Sequence, residues 1–458
     1  MTWNASPGPN GTSTDRKLIS GTLVTDGAVI DNGLLAVEGD RIIYAGPASG
    51  FDTAGFHSAG FDSADFDSVG LDSSGLDSTG FPAAAPGAAH SRGPADVERL
   101  ELPAGSYILP GLVDIHNHGG NGGDFPGGEE SSARRAVDFL HRSGTTTLLA
   151  SMVTASREDL LAGIGVYVGL THEGLLAGIH LEGPFLSHAR CGAQNPKWLR
   201  EPDLALMAEL IEAGQGQIVT MTYAPELPGA GGLVDLMTAH GITPALGHTD
   251  CDTATAAASL EQAREGLSSS GFTGTGGRPT VTHLFNGMPP MHHRSPGPVA
   301  ACLPAAKAGY AAVELIADNT HLDPQTVRMV FNLVGAANVL LVTDSMAAAG
   351  LSDGRYMLGP SPVTVTDGVA TLDATGSIAG GTATLLDVVR RTFAAGIPLQ
   401  DAVLAATAVP AAVLGLSDEI GGLRRGLRAD AVIVDGGLHL TSVLRQGLWL
   451  PAWESSAA

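Results

Sequence analysis

Basic residues and cysteines are scarce in this chain. Its 24 Lys and Arg residues stand against 47 Asp and Glu residues, which gives a formal net charge of −23 at pH 7. Nucleic acids and anionic membrane surfaces attract proteins through clustered Lys and Arg, and the sequence has no run of five basic residues. The composition therefore argues against nucleic acid and membrane as partners. An anionic small molecule stays compatible with it, provided that a local cationic pocket binds that molecule.

The three cysteines, Cys191, Cys251 and Cys302, are widely spaced and form no Cys-x-x-Cys pair. An odd number of unpaired cysteines is typical of a reducing compartment. The polar segment 1–17 lacks the apolar core of a signal peptide, and no apolar run long enough to span a membrane follows it. The sequence thus predicts a cytoplasmic protein with a disordered N-terminus at 1–17.

Both ends of the 458-residue chain look like β-structure, and the length suits one barrel-sized domain with a smaller companion. Short stretches of alternating apolar and polar residues around Asp-Gly and Asn-Gly turns are typical of antiparallel strands. These stretches are 18–25, 28–30, 34–37, 41–45, 362–373 and 429–447. Because the two β-rich ends flank one long middle part, we predict that 18–106 and 362–458 together build a small β-sandwich domain.

A five-residue repeat interrupts the N-terminal part, with six units between Phe51 and Gly80 that each begin with Phe or Leu. A period of five could form a square β-helix, but six units do not complete two four-sided coils and cannot bury a core. We therefore predict a low-complexity surface insertion at 50–95. A second stretch rich in Gly and Ser, 266–277, is predicted to be another long loop.

The middle of the chain alternates short apolar runs with helix-like stretches, which indicates parallel βα units. The apolar runs are 107–114, 146–152, 176–181, 218–223, 242–246, 280–284, 313–317 and 339–342. Helix-like stretches between them include 133–142, 158–170, 203–212 and 324–334. The fold class predicted from these eight units is α/β, with a TIM-type (β/α)8 barrel over 107–361 whose closing loop and last helices extend through about 378–415. Active sites of such barrels lie at the carboxyl ends of the strands.

Polar residues follow several of these predicted strands. His116 and His118 come after the first strand, and alternation along a strand puts both imidazoles on one face, where both can reach one metal ion. The other candidates are His180 and Glu182 after the third strand, His248 after the fifth, His283 and Asn286 after the sixth, and Asp344 after the eighth. Any one of them is equally well a hydrogen-bonded residue at a strand end. Five such placements on one rim favour a metal centre, because Glu and His are ligands that zinc, iron and manganese accept.

These motifs resemble those of the N-acetylglucosamine-6-phosphate deacetylases in the amidohydrolase superfamily. The superfamily uses His-x-His after strand one, His after strands five and six, and Asp after strand eight, and it has a split small domain. The strings that resemble this family are Pro110-Gly-Leu-Val-Asp-Ile-His116, His180-Leu-Glu-Gly-Pro184, Gly247-His-Thr249, Thr282-His-Leu-Phe-Asn286 and Ile316-Ala-Asp-Asn-Thr-His321. The likeness runs over 18–448 outside the two insertions. It implies metal-dependent hydrolysis of the N-acetyl group of N-acetyl-D-glucosamine 6-phosphate to D-glucosamine 6-phosphate and acetate, in amino sugar catabolism or cell-wall sugar recycling.

The resemblance also implies a role for each residue of the metal centre. Glu182, His248 and His283 match the ligands of the catalytic divalent metal, with zinc as the first expectation and iron, manganese or cobalt as alternatives. Asp344 matches the general base. His116 and His118 match a second metal site that only some members have, so one or two ions per subunit are expected.

Substrate binding is implied in the same way. Arg294 matches an arginine that reaches the 6-phosphate across a dimer interface, so a homodimer is expected; the alternative is a solvated loop charge. The other matches are Ala193 and Gln194 in the loop after strand three, Asn286, Gly287 and His321 around the sugar phosphate, and Ile378, Ala379 and Gly380 in a late loop over the sugar. Gln194 stands where some members have a His that polarises the acetyl carbonyl, and Asn319 and Thr320 differ from a Gly-containing version of the strand-seven motif.

Two other functions stay open at this point. A deacetylase of N-acetylgalactosamine 6-phosphate would differ at one hydroxyl of the substrate, which the sequence does not reveal. A non-catalytic barrel used as an oligomeric scaffold would be expected to lose ligands, whereas every candidate ligand and Asp344 are present. Cys191 lies on the same loop as Gln194, and we expect it to have no chemical role.

Overall fold

The first five strands lie in the N-terminal part of the chain. The computed structural model describes residues 16–25, 27–52, 97–271 and 277–451. Within these ranges, the first five strands are β1 (Arg16–Thr25), β2 (Ala28–Glu38), β3 (Arg41–Pro47), β4 (Val97–Glu101) and β5 (Tyr107–Pro110). From residue 53 onward the five-residue repeat falls outside the described residues, as does almost all of the predicted disordered N-terminus.

The next eleven strands belong to the middle of the chain. They are β6 (Leu112–Asp114), β7 (Gly119–Gly120), β8 (Gly123–Asp124), β9 (Thr145–Leu148), β10 (Ala150–Met152), β11 (Ile179–Glu182), β12 (Ile218–Tyr223), β13 (Thr243–Leu246), β14 (Thr280–Val281), β15 (Ala312–Leu315) and β16 (Val339–Leu341). Strands β10 to β16 pair in sequence order as one parallel sheet, and β6 pairs in parallel with β9. The backbone N–H of Asp344 donates to the carbonyl of His116 at 2.9 Å, which joins the end of the last strand to the first. This arrangement confirms the predicted α/β class and TIM-type barrel.

The apolar run 107–114 was predicted as one barrel strand, and that prediction was wrong. Tyr107–Pro110 is β5 of another sheet, and only Leu112–Asp114 is a barrel strand. The chain changes sheets at Gly111, where any side chain would collide with Thr146 and Asp430. An uninterrupted apolar sequence hides this change, because both strands are buried.

In the part of the chain that the structure describes, ten α-helices surround and extend the barrel. They are α1 (Glu130–Arg142), α2 (Arg157–His172), α3 (Leu204–Gly214), α4 (Ala230–Ala239), α5 (Thr253–Ser269), α6 (Val299–Lys307), α7 (Pro324–Val334), α8 (Leu385–Ala394), α9 (Leu399–Ala405) and α10 (Ala408–Val413). Five of them begin where a side-chain oxygen accepts a hydrogen bond from the first turn; the capping residues are Ser156, Asp203, Asp252, Asp323 and Thr384. Across the described ranges, no helix is both long and apolar enough to cross a membrane.

The loop predicted at 266–277 starts later than expected. Helix α5 continues to Ser269 because Gly266 lies against Thr238 of α4, where a larger side chain would collide. The glycine that suggested a loop therefore permits close packing of two helices. Residues 272–276 lie outside the described part of the chain.

Three strands after the barrel form a separate sheet, which we call the upper sheet: β17 (Gly354–Leu358), β18 (Ser361–Thr366) and β19 (Val369–Leu372). The sequence analysis placed 362–373 in the small β domain, and the sheet pairing shows that this was wrong. Leu358, Val363 and Val365 instead pack against Met346 and Ala348, just beyond the end of β16. Alternation along a strand identifies an apolar face but not the surface that covers it.

The C-terminal strands β20 (Ala431–Val434), β21 (Leu440–Arg445) and β22 (Leu448–Leu450) join the N-terminal strands. The sheet has the order β22-β21-β20-β5-β1-β2-β3, with β4 also paired to β1. Ile433 of β20 lies opposite Ile108 of β5, and both side chains are buried in the same apolar cluster. The two ends of the chain thus build one β unit, as the composite small domain requires.

A buried histidine lies between this β unit and the base of the barrel. His141, in the last turn of α1, is 6% exposed. Burial and the nearby charges of Arg445 and Arg428 hold the pKa of His141 well below its ordinary value. The folded protein therefore keeps His141 neutral at a pH where the unfolded chain binds a proton.

Acid should consequently destabilise the fold through His141. Below the unfolded-state pKa of about 6.5 this one group should lower the free energy of unfolding by up to about 1.4 kcal/mol per pH unit. His141→Gln is expected to reduce the drop in unfolding midpoint between pH 7.5 and pH 5.5, measured by thermal denaturation. The exposed His172→Gln serves as the matched control. An identical drop in the parent and in His141→Gln would contradict the prediction.

Candidate metal centre and active site

The carboxyl ends of the barrel strands surround a cavity of about 230 Å3. Most of the residues singled out in the sequence line it: His118, Glu182, Ala193, Gln194, His248, His283, Asn286, Gly287, His321, Asp344, Ile378 and Gly380. They come from elements far apart in sequence, and the barrel brings them together because all of its strands end on this side. Leu358 of the upper sheet forms part of the same wall.

Glu182, His248 and His283 form the tightest group in the cavity. Glu182 Oε1 lies 2.9 Å from His248 Nε2 and 3.1 Å from His283 Nε2, and the two nitrogens are 3.2 Å apart. All three side chains are buried. Two imidazole nitrogens and a carboxylate oxygen that converge in this way fit a divalent cation such as zinc, iron or manganese.

The backbone is left-handed at three residues whose side chains point into the cavity. His248, His283 and Asp344 have φ values of 46°, 28° and 47°, in a region that non-glycine residues rarely adopt. Each of these residues lies two or three positions after the end of a barrel strand. The left-handed backbone there directs the side chain into the cavity. Strained backbone of this kind is concentrated at functional sites.

Hydrogen bonds on the far side of two rings fix their orientation. His248 Nδ1 lies 2.8 Å from the carbonyl oxygen of Arg190, and His118 Nδ1 lies 3.1 Å from that of Ser151. A carbonyl only accepts, so in each neutral ring Nδ1 carries the hydrogen and Nε2 presents its lone pair to the centre. Both rings are therefore prepared to bind a metal through Nε2.

A second group of potential ligands shares Glu182 with the first. His118 Nε2 lies 3.2 Å from Glu182 Oε2 and 3.1 Å from Asp344 Oδ1. His116 Nε2 is 3.6 Å from Glu182 Oε1 and 3.5 Å from Asp344 Oδ1. Glu182 thus lies between both groups. Its Oε1 is closest to His248 and His283, and its Oε2 is the oxygen that faces His118.

The two carboxylates are ionised in this surrounding. Burial raises the pKa of Asp344, but when the two rings are protonated the hydrogen bond from His118 and the positive charges of His116 and His118 outweigh it, so the net pKa lies below its usual value. For Glu182 burial likewise raises the pKa, and the charges of His116 and His248 bring it well below the usual range. An ionised Asp344 is able to accept a proton.

Gln194 is bound to the protein at both ends of its amide. Its Nε2 donates to Glu182 Oε2 at 2.7 Å, and its Oε1 accepts from the backbone N–H of Thr154 at 2.7 Å. The side chain is 5% exposed. Gln194 therefore orients the shared carboxylate, which is a different task from the carbonyl polarisation that a histidine there would perform.

The strand-seven motif presents His321 to the cavity. His321 Nδ1 lies 2.8 Å from Asp318 Oδ2, and Asp318 Oδ1 accepts from the backbone N–H groups of Thr320 and His321. Asn319 adopts φ 65°, a left-handed conformation that suits glycine and that asparagine tolerates. The departure from the Gly-containing motif is thus compatible with the same turn.

Four of the singled-out residues lie outside the cavity wall, and one of them is the buried His116. Arg294 is exposed on the loop before α6 and does not line the cavity, and Ala379 is buried behind its lining neighbours Ile378 and Gly380. His180 points into the barrel interior, where Ser151 Oγ and Thr222 Oγ1 contact its two nitrogens at 2.9 Å each.

Sequence reasoning missed one buried side chain at the centre. Glu314 of β15 is 2% exposed, and its Oε2 lies 2.9 Å from His116 Nδ1 and 3.1 Å from the backbone N of His283. The signal was present, because Glu314 is the one charged residue in the apolar run 313–317.

The chain is similar to characterised proteins over most of its length. Residues 107–457 match the amidohydrolase family. N-acetylglucosamine-6-phosphate deacetylase of Bacillus subtilis (strain 168) is 33% identical over 366 residues, covering 76% of this chain and 86% of that protein. The human enzyme of the same name is 32% identical over 369 residues, covering 77% and 85%.

Solved structures agree with this likeness. A mutant N-acetyl-D-glucosamine-6-phosphate deacetylase from Mycobacterium smegmatis, in complex with N-acetyl-D-glucosamine-6-phosphate, has a TM-score of 0.78 and 34% sequence identity. The match covers 95% of this chain and 99% of that one. With a barrel of this topology and a His and Glu cluster at its carboxyl end, the chain belongs to the amidohydrolase family and, within it, to the N-acetylglucosamine-6-phosphate deacetylases.

Proposed function

We propose that this protein hydrolyses the N-acetyl group of N-acetyl-D-glucosamine 6-phosphate and releases D-glucosamine 6-phosphate and acetate. The observation that carries the proposal is the convergence of Glu182, His248 and His283 beside an ionised Asp344 in one cavity. The relatives that bear the name of this activity support it, since they match 76% and 77% of the chain.

The chemistry follows from where these groups lie. Glu182, His248 and His283 would hold a divalent ion, for which zinc is our first choice, and the bound ion would polarise the acetyl carbonyl and acidify the attacking water. Asp344 takes the proton from that water as its oxygen attacks the carbonyl carbon. Asp344 then returns the proton to the nitrogen as the C–N bond breaks, so that the amine leaves neutral.

His116 and His118 are the proposed ligands of a second ion, so that one or two ions bind per subunit. Iron, manganese and cobalt stay alternatives to zinc, because the same nitrogen and oxygen ligands accept them. We further propose that the sugar phosphate lies among Ala193, Gln194, Asn286, Gly287, His321, Ile378 and Gly380, with Ala379 buried behind the last two. A cytoplasmic location is supported by the three cysteines, which are all free thiols.

An enzyme assay tests the function. Purified protein is expected to release acetate and D-glucosamine 6-phosphate, to stop when a chelator removes the metal, and to recover when zinc, manganese, iron or cobalt is added. Comparison with N-acetylgalactosamine 6-phosphate distinguishes the two sugar epimers. No acetate from either phosphosugar with any of these metals would favour the scaffold instead.

The 6-phosphate is an anion, and the described lining of the cavity in one subunit offers it imidazoles but no guanidinium or ammonium group. None of the described residues that line it is Lys or Arg. Arg294 is exposed outside the cavity, where a second subunit could receive it. We propose a homodimer in which Arg294 of one subunit contacts the phosphate bound by the other.

Arg294→Ala should raise KM strongly for the phosphosugar and leave the slow reaction with N-acetylglucosamine almost unchanged, because only the phosphate loses a charged partner. Mixing Arg294→Ala with Asp344→Asn should restore part of the activity, since a mixed dimer pairs an intact Asp344 with the neighbour's Arg294. The exposed Arg425→Ala is the control and should behave as the parent. Subunit exchange without recovery would assign Arg294 to its own subunit.

A further inference from the structure

Glu314 is a buried acid with no role in the reaction described above. It lies on β15 between Val313 and Leu315, both of which are fully buried. Within the described residues it forms no ion pair with Lys or Arg, and its one ion-pair partner there is His116. Burying a carboxylate is costly unless hydrogen bonds stabilise it, so its retention in an apolar strand calls for a specific partner.

A single oxygen of Glu314 has hydrogen-bond partners at two different strand ends. Oε2 lies 2.9 Å from His116 Nδ1, after the first barrel strand, and 3.1 Å from the backbone N of His283, after the sixth. The N–H of His283 belongs to a residue with φ 28°, so this hydrogen bond stabilises a turn that costs energy. Glu314 therefore connects both groups of potential metal ligands.

The geometry also determines which nitrogen of His116 is free. Glu314 Oε2 accepts from the backbone N–H of His283, and as an acceptor it takes from His116 Nδ1 the hydrogen that this nitrogen carries. His116 Nε2 is then left to face Glu182 and Asp344, and within the described residues it is buried without a hydrogen-bond partner. His118 and His248 obtain the same orientation from backbone carbonyls, whereas His116 depends on a side chain that mutation can remove.

We infer that Glu314 is a positioning residue of the metal centre: its Oε2 fixes His116 with Nε2 toward the second ion and holds the backbone of His283 at the first. The inference rests on the proposed metal centre. It predicts that an uncharged acceptor at the same place suffices, because both donors reach one oxygen.

Three variants test this role. Glu314→Gln keeps an oxygen for both donors, whereas Glu314→Leu removes it; the exposed Glu201→Leu is the control. Zinc binding to metal-stripped protein, measured by calorimetry, should weaken about 10- to 100-fold in Glu314→Leu at the site that His116→Gln also loses. It should stay near the parent value in Glu314→Gln. If Glu314→Leu does not fold, Glu314→Asp replaces it, because the shorter side chain withdraws the oxygen from both donors.

Nuclear magnetic resonance of the zinc-loaded protein reports the orientation of His116 directly. The Nδ1–H proton of His116, assigned by its absence in His116→Gln, should exchange slowly in the parent and in Glu314→Gln and should lose this protection in Glu314→Leu. Unchanged zinc affinity and protection in Glu314→Leu would overturn the inference. So would equal losses in Glu314→Gln and Glu314→Leu, or zinc binding by His116→Gln that equals the parent's. A parent protein that binds zinc but releases no acetate would refute the proposed function and leave these measurements interpretable.

Discussion

His283→Ala is expected to lose both the bound metal and the activity. The substitution removes one of two imidazoles that contact the same oxygen of Glu182, and the remaining two ligands are too few to hold a divalent ion tightly. Lewis-acid catalysis contributes several kcal/mol, and about 1.4 kcal/mol changes a rate tenfold. We therefore expect the rate to fall by about a thousandfold or more, with metal content at background in elemental analysis.

The exposed His240→Ala controls for the loss of a histidine as such and should retain metal and activity. Excess zinc should rescue His283→Ala only partly, because the geometry of the centre is incomplete. Stoichiometric metal together with lost activity would mean that His283 acts on the substrate and is not a ligand.

Asp344→Asn is expected to reduce kcat by about a hundred- to ten-thousandfold, the range typical of a lost general base. Asparagine keeps the size of the side chain but accepts a proton poorly. Glu182, His248 and His283, the proposed ligands, stay intact in this variant, so we expect the metal content to stay as well. Since the lost interaction forms in the transition state, kcat and kcat/KM should fall by similar factors.

Substitution of the exposed Asp418 by Asn gives a matched control that should leave kcat unchanged. Metal analysis separates the two possible causes of inactivity. A protein that loses its metal in Asp344→Asn would identify Asp344 as a ligand, and unchanged kcat would exclude it as the base.

The barrel and the ligand cluster were predictable because their signals are local. Each candidate ligand lies at or just after the end of an apolar run of strand length, and parallel strands in a closed barrel all end on one side. Once eight runs were recognised, the meeting of Glu182, His248 and His283 followed from topology. Their distances and the left-handed turns that direct them did not, since those depend on packing around the cavity.

Other features depend on contacts that one segment of sequence does not contain. The upper sheet has the same alternation as the small β domain, and only tertiary packing against Met346 distinguishes the two. Gln194 reads as a substitute for histidine until its hydrogen bonds to Glu182 and Thr154 are seen. Glu314 was visible as a charge in an apolar run, but its partners come from strands one and six.

The pairing of β5 with β20 has a consequence for how the chain is synthesised. Ile108 of β5 pairs with Ile433 of β20, and the ribosome must translate the entire barrel between the two residues. During that interval β5 has an open edge, and an unpaired edge strand is a template for association with other chains. The edge therefore stays unpaired until the ribosome has made β20, and a chain released before residue 431 lacks the strand that covers it.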